Sequence, residues 1–191
     1  MDFRRRAGYV AAALLLAFSS RILVAEPVAT GDLPAIVVRV DNLVGVLPDD
    51  LQFAEGRTSE VFARIGARIR WIDQEESASQ HITPAFTVVV ENAEGKGASL
   101  LIDALGLAHP GVRRAYVFYD RIAALNVGTT RTIPSLLGDV IAHELGHLML
   151  PLPGHTADGI MRPEVETKSW HVKTFTKPQA REVLSRVRAQ H

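Results

Sequence analysis

Residues 140–149 read Val-Ile-Ala-His-Glu-Leu-Gly-His-Leu-Met, so His143 and His147 stand four positions apart. The helical spacing of residues 134–150 predicts the longest helix of the chain, which prolines then end. Residues four positions apart on a helix lie within about 40° of each other, one turn apart. Two imidazoles in that arrangement can hold one zinc ion. The stretch therefore predicts a helix with two metal ligands on one face.

Glu144 follows the first of these histidines, at the edge of their helix face. A carboxylate there can reach the attacking water without binding the ion itself. The flanking positions are apolar: between Asp139 and Asp158, the only other ionisable residue is His155. An apolar run that buries such groups needs a partner for them, and a metal ion supplies one. The pattern therefore places the carboxyl group of Glu144 within reach of a water molecule bound to the metal ion.

A hydrolytic zinc site needs a third protein ligand and an open fourth position. The chain must turn back beneath the helix to supply that ligand, and two prolines and Gly154 provide such a turn. His155 follows at once and is the leading candidate. Asp158 in the same loop remains an alternative, as do Glu164 and Glu166 beyond it.

The nine residues from His155 read His-Thr-Ala-Asp-Gly-Ile-Met-Arg-Pro. Together with the helix motif, they resemble the metzincin zinc peptidases, and the matrixins in particular. In that family, HExxH is followed by a third histidine and then by a methionine in a tight turn under the metal. The resemblance covers residues 140–163 and implies a zincin-like fold with one catalytic Zn²⁺ ion. It implies the zinc ligands His143, His147 and His155, the general base Glu144 and the Met-turn residue Met161.

The chain departs from the matrixin pattern in three ways. His155 comes eight residues after His147 instead of six, and Leu150 occupies the position of the family's glycine. Arg162 stands where matrixins usually have tyrosine. The chain has no cysteine, which excludes the cysteine-switch latency of matrixins, a thiolate metal site and a disulfide scaffold. The loop before the third ligand is therefore built differently from that of the family.

The start of the chain predicts export. A cluster of three arginines precedes the apolar run of residues 8–18, and Ala25 offers a small residue for cleavage. These are the parts of a secretory signal peptide, whereas a membrane-spanning helix needs about 20 apolar residues. We therefore expect a signal peptide at residues 1–25, with an uncleaved anchor as the alternative. The rest, residues 26–191, is expected to form one catalytic domain, located in the periplasm or outside the cell.

The charge balance gives no reason to expect nucleic acid as a partner. The chain has 21 basic and 21 acidic residues, and removal of residues 1–25 would leave a net charge of −3. Binding to the phosphate backbone depends on an excess of basic groups, which is lacking here. The expected partner is a protein or peptide substrate, without membrane contact after signal removal. The sequence sets no oligomeric state.

Strand-like and helix-like stretches alternate along the chain. Strands are predicted at residues 35–41, 68–73, 86–91, 104–109 and 115–120, the fourth of them at a sheet edge. Helices are predicted at residues 49–66, 134–150 and 176–189, and a loop at residues 74–80. Asp49 or Asp50 is the expected N-cap of the first helix, and Thr176 opens the last one in a capping box. This order predicts one α/β (α+β) domain, with a mixed twisted sheet packed against the active-site helix and a C-terminal helix. The first strand–helix–strand unit predicts parallel neighbours, and the short later connections predict an antiparallel edge.

Two functions of different classes fit these features. The first is a secreted zinc endopeptidase, in which an extended peptide adds to the edge strand at residues 104–109. The second is a non-catalytic zinc-binding or interaction module on a metzincin-like scaffold. Glu144 favours the first, because a pure binding site has no evident use for it. His109 is expected to be an ordinary residue of the edge strand, although matrixins use a histidine in this stretch for a second, structural zinc.

Overall fold

The computed structural model describes residues 33–93 and 103–189. The predicted signal peptide, residues 1–25, lies outside the described residues. Across the two described ranges, no helix combines the length and the apolar character that crossing a bilayer would require.

Five strands form a mixed sheet. They are β1 (Ala35–Asn42), β2 (Arg68–Ile72), β3 (Phe86–Glu91), β4 (Gly106–His109) and β5 (Arg114–Phe118). Their order in the sheet is β2-β1-β3-β5-β4, with parallel pairs throughout except for the antiparallel pair of β4 and β5. Every residue of β3 is buried, as expected for a β-branched strand inside a parallel sheet. The prediction of a mixed sheet with an antiparallel edge strand is confirmed.

Five α-helices accompany the sheet in the described part of the chain. They are α1 (Pro48–Ala63), α2 (Gln74–Ser79), α3 (Tyr119–Asn126), α4 (Ile133–Met149) and α5 (Lys177–Arg188), and a short 3-10 turn (Pro110–Val112) follows β4. From Ser135 onward, every residue of α4 is buried except His143 and His147. A helix that is apolar on nearly all sides must be covered on nearly all sides, and α4 packs against α1, β4 and β5. The two histidines therefore occupy its one open face.

A glycine brings α1 and α4 close together. A Cβ atom at Gly138 would lie 2.6 Å from the carbonyl oxygen of Ala54, nearer than real Cβ atoms approach. The absence of a side chain at Gly138 therefore sets the distance between these helices. This packing holds α4 against the rest of the domain.

The predicted ends of α4 and α5 agree with the structure to about a residue, and the capping box of Thr176 and Gln179 is present.

Three local predictions are wrong. Residues 74–80, predicted as a loop, contain helix α2, which has no buried residue and therefore shows no amphipathic pattern. Asp73 caps this helix by accepting a hydrogen bond from the backbone N–H of Glu76. The strand predicted at residues 115–120 ends at Phe118, where α3 begins. The N-cap of α1 is Leu47, because Pro48 occupies the first helical position.

Candidate metal centre

Three imidazoles converge at the open face of α4. His143 and His147 come from the helix, and His155 comes from the loop that follows it. The Nε2 atom of His147 lies 3.0 Å from that of His143 and 3.0 Å from that of His155, and the remaining pair is 3.3 Å apart. Nitrogens bound at about 2.0–2.1 Å to one tetrahedral zinc ion lie roughly 3.3 Å from each other. The donor type and the spacing therefore fit one zinc ion.

The other candidate third ligands lie apart from this cluster. Asp158 is exposed, and so is Glu164, whose side chain is 88% accessible. The Oε1 atom of Glu166 accepts a hydrogen bond from the backbone N–H of Lys168 at 2.9 Å. Of the residues that the structure describes, the three histidines form the one group of three potential ligands close enough to share an ion. The structure thus brings His155 to the helix pair.

His109 lies outside this group. It is exposed on β4, and its ring packs edge-on against Tyr116 with the ring centroids 5.8 Å apart. No second set of three potential ligands surrounds it among the described residues. His109 is thus placed as an edge-strand residue, as the sequence predicts.

The surroundings keep the two helix histidines neutral. Burial, together with the neighbouring His143 and His155, lowers the pKa of His147 to about 4. Burial also lowers the pKa of His143, against the opposing effect of the Ile160 carbonyl group and with the help of His155. A neutral imidazole is the form that binds a metal ion. Both residues therefore present lone pairs at neutral pH without prior deprotonation.

A backbone carbonyl fixes the ring of His143. Its Nδ1 atom lies 2.9 Å from the Ile160 oxygen, which can only accept, so Nδ1 carries the proton. The Nε2 atom that faces the other imidazoles is then unprotonated. Metal-binding histidines commonly donate their second ring N–H in this way, which orients the ring.

Glu144 is buried beside the histidines and lines the same cleft. Its side chain rests on Gly106 of β4, where a Cβ atom would lie 2.7–2.9 Å from the Cγ, Cδ and Oε1 atoms of Glu144. Burial raises the pKa of Glu144 to about 8. A nearby cation would lower that value again. A carboxyl group that titrates near neutral pH can both accept and release a proton.

Met161 lies beneath α4, fully buried. Its sulfur packs against Gly146, the residue before His147, and leaves no space there for a side chain. The backbone N–H of Thr156 donates to the Met161 carbonyl at 3.0 Å, which closes the loop between His155 and the methionine. The methionine thus supports the turn of α4 that bears the two histidines.

A cleft of about 830 Å³ opens above the three histidines. Its walls are mostly apolar and come from β4 and the residues before it, from α4, and from the loops on either side of His155. They include Leu105, Leu107, Val140, Leu152 and Val165. Strand β4 ends the sheet, so its outer edge is unpaired within the described part of the chain and borders the cleft. Arg162, at the position of the matrixin tyrosine, is not among the residues described as lining the cleft.

Two residues that shape the site belong to no metal-binding motif. An isolated glycine inside a predicted strand indicates a close approach of another group, and that is the signal for Gly106. Gln179 is visible in the sequence only as part of a capping box. Gln179 also contacts Gly154 and Thr156 in the loop of His155, which lie 25 and 23 positions before it in the sequence. Such contacts leave no periodic pattern in a sequence.

No protein-family model matches the sequence, and no curated protein sequence matches it. Solved structures of zinc peptidases do share its fold, and the chain is a zincin-like α/β domain, as predicted from the sequence. One is a zinc-dependent peptidase from Methanocorpusculum labreanum (strain Z), with a TM-score of 0.53 and 16% identity over 78% of this chain and 99% of that one. Another is the archaemetzincin from Methanopyrus kandleri, with a TM-score of 0.52 and 16% identity over 85% of this chain and 99% of that one.

Proposed function

We propose that this protein is an exported, zinc-dependent endopeptidase. The observation that carries the proposal is the convergence of three imidazoles beside the buried carboxyl group of Glu144, at the floor of an apolar cleft. The ligands would be His143, His147 and His155. The names of the two structural neighbours, a zinc-dependent peptidase and an archaemetzincin, agree with this class of enzyme.

Glu144 is the proton carrier of the proposed reaction. When bound, zinc polarises the scissile carbonyl group and lowers the pKa of a water molecule. Glu144 accepts a proton from the attacking water and passes it to the departing amine. Gly106 has no side chain, so the carboxyl group of Glu144 lies directly against β4, and the proton carrier and the substrate strand share one wall of the cleft.

The proposed substrate is an extended stretch of polypeptide. The outer edge of β4 offers backbone groups for strand addition, which gives affinity independent of the side chains. The apolar walls, which include Leu107 and Val165, accept apolar side chains in preference to charged ones. A locally unfolded protein such as casein is therefore a suitable test substrate.

The substitution Glu144→Gln tests the proposed role. It removes the proton acceptor and keeps the shape, so we expect cleavage of casein to fall by at least about 10²-fold. Zinc content, measured by mass spectrometry of the native protein, should remain at one ion per chain. Glu164→Gln is the matched control, since it removes a carboxylate that lines the same cleft but is exposed. Equal cleavage by Glu144→Gln and the wild type would contradict the proposal, and zinc binding without turnover by the wild type would favour the interaction module.

The proposal that the protein is exported rests on the sequence of residues 1–25 alone. The test is the N-terminal sequence of the protein recovered from its natural host. We expect the mature chain to begin at Glu26 and to be found outside the cytoplasm. A chain that begins at Met1 in the membrane fraction would favour the uncleaved anchor instead.

A further inference from the structure

We infer that Gln179, in the first turn of α5, is a positioning residue that holds His155 at the metal centre. This inference rests on the zinc site of the proposed function. Gln179 comes from a helix that contributes no ligand, and it reaches the loop residues on both sides of His155. Through Gln179, helix α5 thus takes part in metal binding.

The amide nitrogen of Gln179 joins two points of the ligand loop. Its Nε2 atom donates to the carbonyl oxygen of Gly154 at 2.9 Å and to Thr156 Oγ1 at 3.2 Å. These residues immediately precede and follow His155. An amide nitrogen carries two N–H groups, so both are used. The residue is 8% exposed, so water cannot readily replace these bonds.

The amide oxygen of Gln179 is held at the same time. Its Oε1 atom accepts from the backbone N–H of Thr176 at 3.1 Å and lies 3.0 Å from Thr176 Oγ1. If the amide were rotated by half a turn, its oxygen would face the Gly154 carbonyl oxygen and its nitrogen would face the Thr176 N–H group. The contacts of the oxygen and of the nitrogen therefore fix the same orientation of the amide. Val183 and Val187 are buried in the core and anchor α5 itself. Gln179 therefore connects the ligand loop to a rigid element.

His155 depends on such support more than the other two ligands do. His143 and His147 are positioned by α4, which is buried around them, whereas His155 is exposed and lies in a loop. Gly154 has a φ of +73°, and a Cβ atom there would lie 3.0 Å from His147 Nδ1, so this turn is confined closely. Without the amide of Gln179, the loop loses its hydrogen bonds to α5 and His155 must be ordered when the metal binds. That entropy loss weakens metal binding.

Gln179→Glu separates the two sets of contacts. A carboxylate keeps an oxygen for the Thr176 N–H, so the capping box survives, but it offers no donor and turns an oxygen towards the Gly154 carbonyl. Thr176→Ala is the matched control, because it weakens the cap of α5 and leaves the Nε2 contacts of Gln179 in place. Gln179→Met, which preserves length without polar groups, replaces Gln179→Glu should the latter fail to fold.

The measurement is the zinc affinity of the full chain, by competition with a chromophoric chelator, together with the absorption spectrum of bound Co²⁺. Loss of a residue that orients a ligand costs about 10- to 100-fold in metal affinity, and we expect that loss in Gln179→Glu with an altered Co²⁺ spectrum. Thr176→Ala should match the wild type in both. In a His155→Ala background, Gln179→Glu should have no further effect on zinc affinity.

A wild-type affinity and an unchanged Co²⁺ spectrum in the Gln179 variants would overturn this inference and leave the proposed function intact. An equal loss in Thr176→Ala would also overturn it, since the cap alone would then explain the effect. A wild-type chain that binds no zinc would instead refute the proposed function. The two failures are thus distinguishable.

Discussion

Gly106 shows how one residue sets the position of the proposed general base. Gly106→Ala would put a Cβ atom 2.7–2.9 Å from the Glu144 side chain and displace its carboxyl group. A misplacement of about 1 Å can cost on the order of 10²-fold in rate, so we expect kcat to fall by about 10- to 100-fold with zinc affinity retained. Steady-state kinetics on a peptide substrate measure this. Gly111→Ala is the control, because its Cβ would meet nothing within 4 Å; equal kcat values for the two variants would contradict the account.

Glu55, on α1, makes the stability of the protein depend on pH. Burial raises the pKa of Glu55 to about 7 from its ordinary 4.5. The folded state then binds more protons than the unfolded state between these values, so the free energy of unfolding decreases as pH rises from about 4.5 through 7. Glu55→Gln should remove this decrease and gain about 1 kcal/mol or less at pH 8, since the group is partly exposed and screened.

Urea denaturation of the wild type and Glu55→Gln at pH 5 and pH 8 tests this dependence. The two proteins should be closer in stability at pH 5 than at pH 8. Glu60→Gln, on the exposed surface of the same helix, serves as the control for loss of a carboxylate. A constant difference between Glu55→Gln and the wild type at both pH values would show that Glu55 does not titrate in this range.

Among the elements, α1 and α4 are joined by a buried ionic cluster. Asp139 receives hydrogen bonds from Arg57 Nε and from the guanidinium group of Arg131, both at 2.7 Å. Arg131 also donates to the carbonyl oxygen of Glu166, and Arg57 donates to that of Trp170. Both carbonyl groups lie in the segment between α4 and α5. The cluster thus ties α4 to α1 and to that segment.

Asp139→Ala should therefore destabilise the fold strongly. Removal of one partner from a buried ion pair leaves uncompensated charge and costs about 3–5 kcal/mol. Chemical denaturation measures the free energy of unfolding. The exposed pair of Arg64 and Glu60 is the contrast, and Arg64→Ala should cost about 0.5 kcal/mol or less. A similar small cost for Asp139→Ala would mean that the cluster contributes little.

Local signals explain which elements the sequence predicts well. The helical spacing and the prolines beyond Met149 predict α4, which Thr132 caps in the structure, and α5 follows from its capping box. Helix α2 escapes prediction because none of its residues is buried, and α3 because it begins directly after β5 ends. His143, Glu144 and His147 form a local pattern on one helix. The contacts of Gly106 and Gln179 are long-range, and therefore only the folded chain brings them to the site.

For the whole molecule, the order of elements predicts the sheet because the connection from β1 through α1 to β2 favours parallel neighbours. The sequence also predicts the antiparallel edge, at β4. Binding of a peptide to residues 104–109 implies that β4 borders the site, but the contact of Gly106 with Glu144 depends on how α4 packs on the sheet. The placement of the cleft is thus a property of the assembled domain.

Metal removal should destabilise the entire domain. A ligand that binds only the native state adds about 2.7 kcal/mol at a free concentration 100 times its Kd, so chelation of zinc should lower the Tm. Differential scanning calorimetry with and without a chelator measures the change. His143→Ala, which lacks one proposed ligand, should show a much smaller response. A Tm unaffected by chelation of the zinc-loaded wild type would argue against a metal shared by α4 and the loop of His155.

The central claim, that one zinc ion is held by three histidines, is tested most directly by a crystal structure of the zinc-loaded protein with an anomalous difference map at the zinc edge. The account predicts one peak, about 2.0–2.1 Å from the Nε2 atoms of His143, His147 and His155. A peak bound by Asp158 or Glu164 instead of His155, or no peak between the histidines, would contradict it.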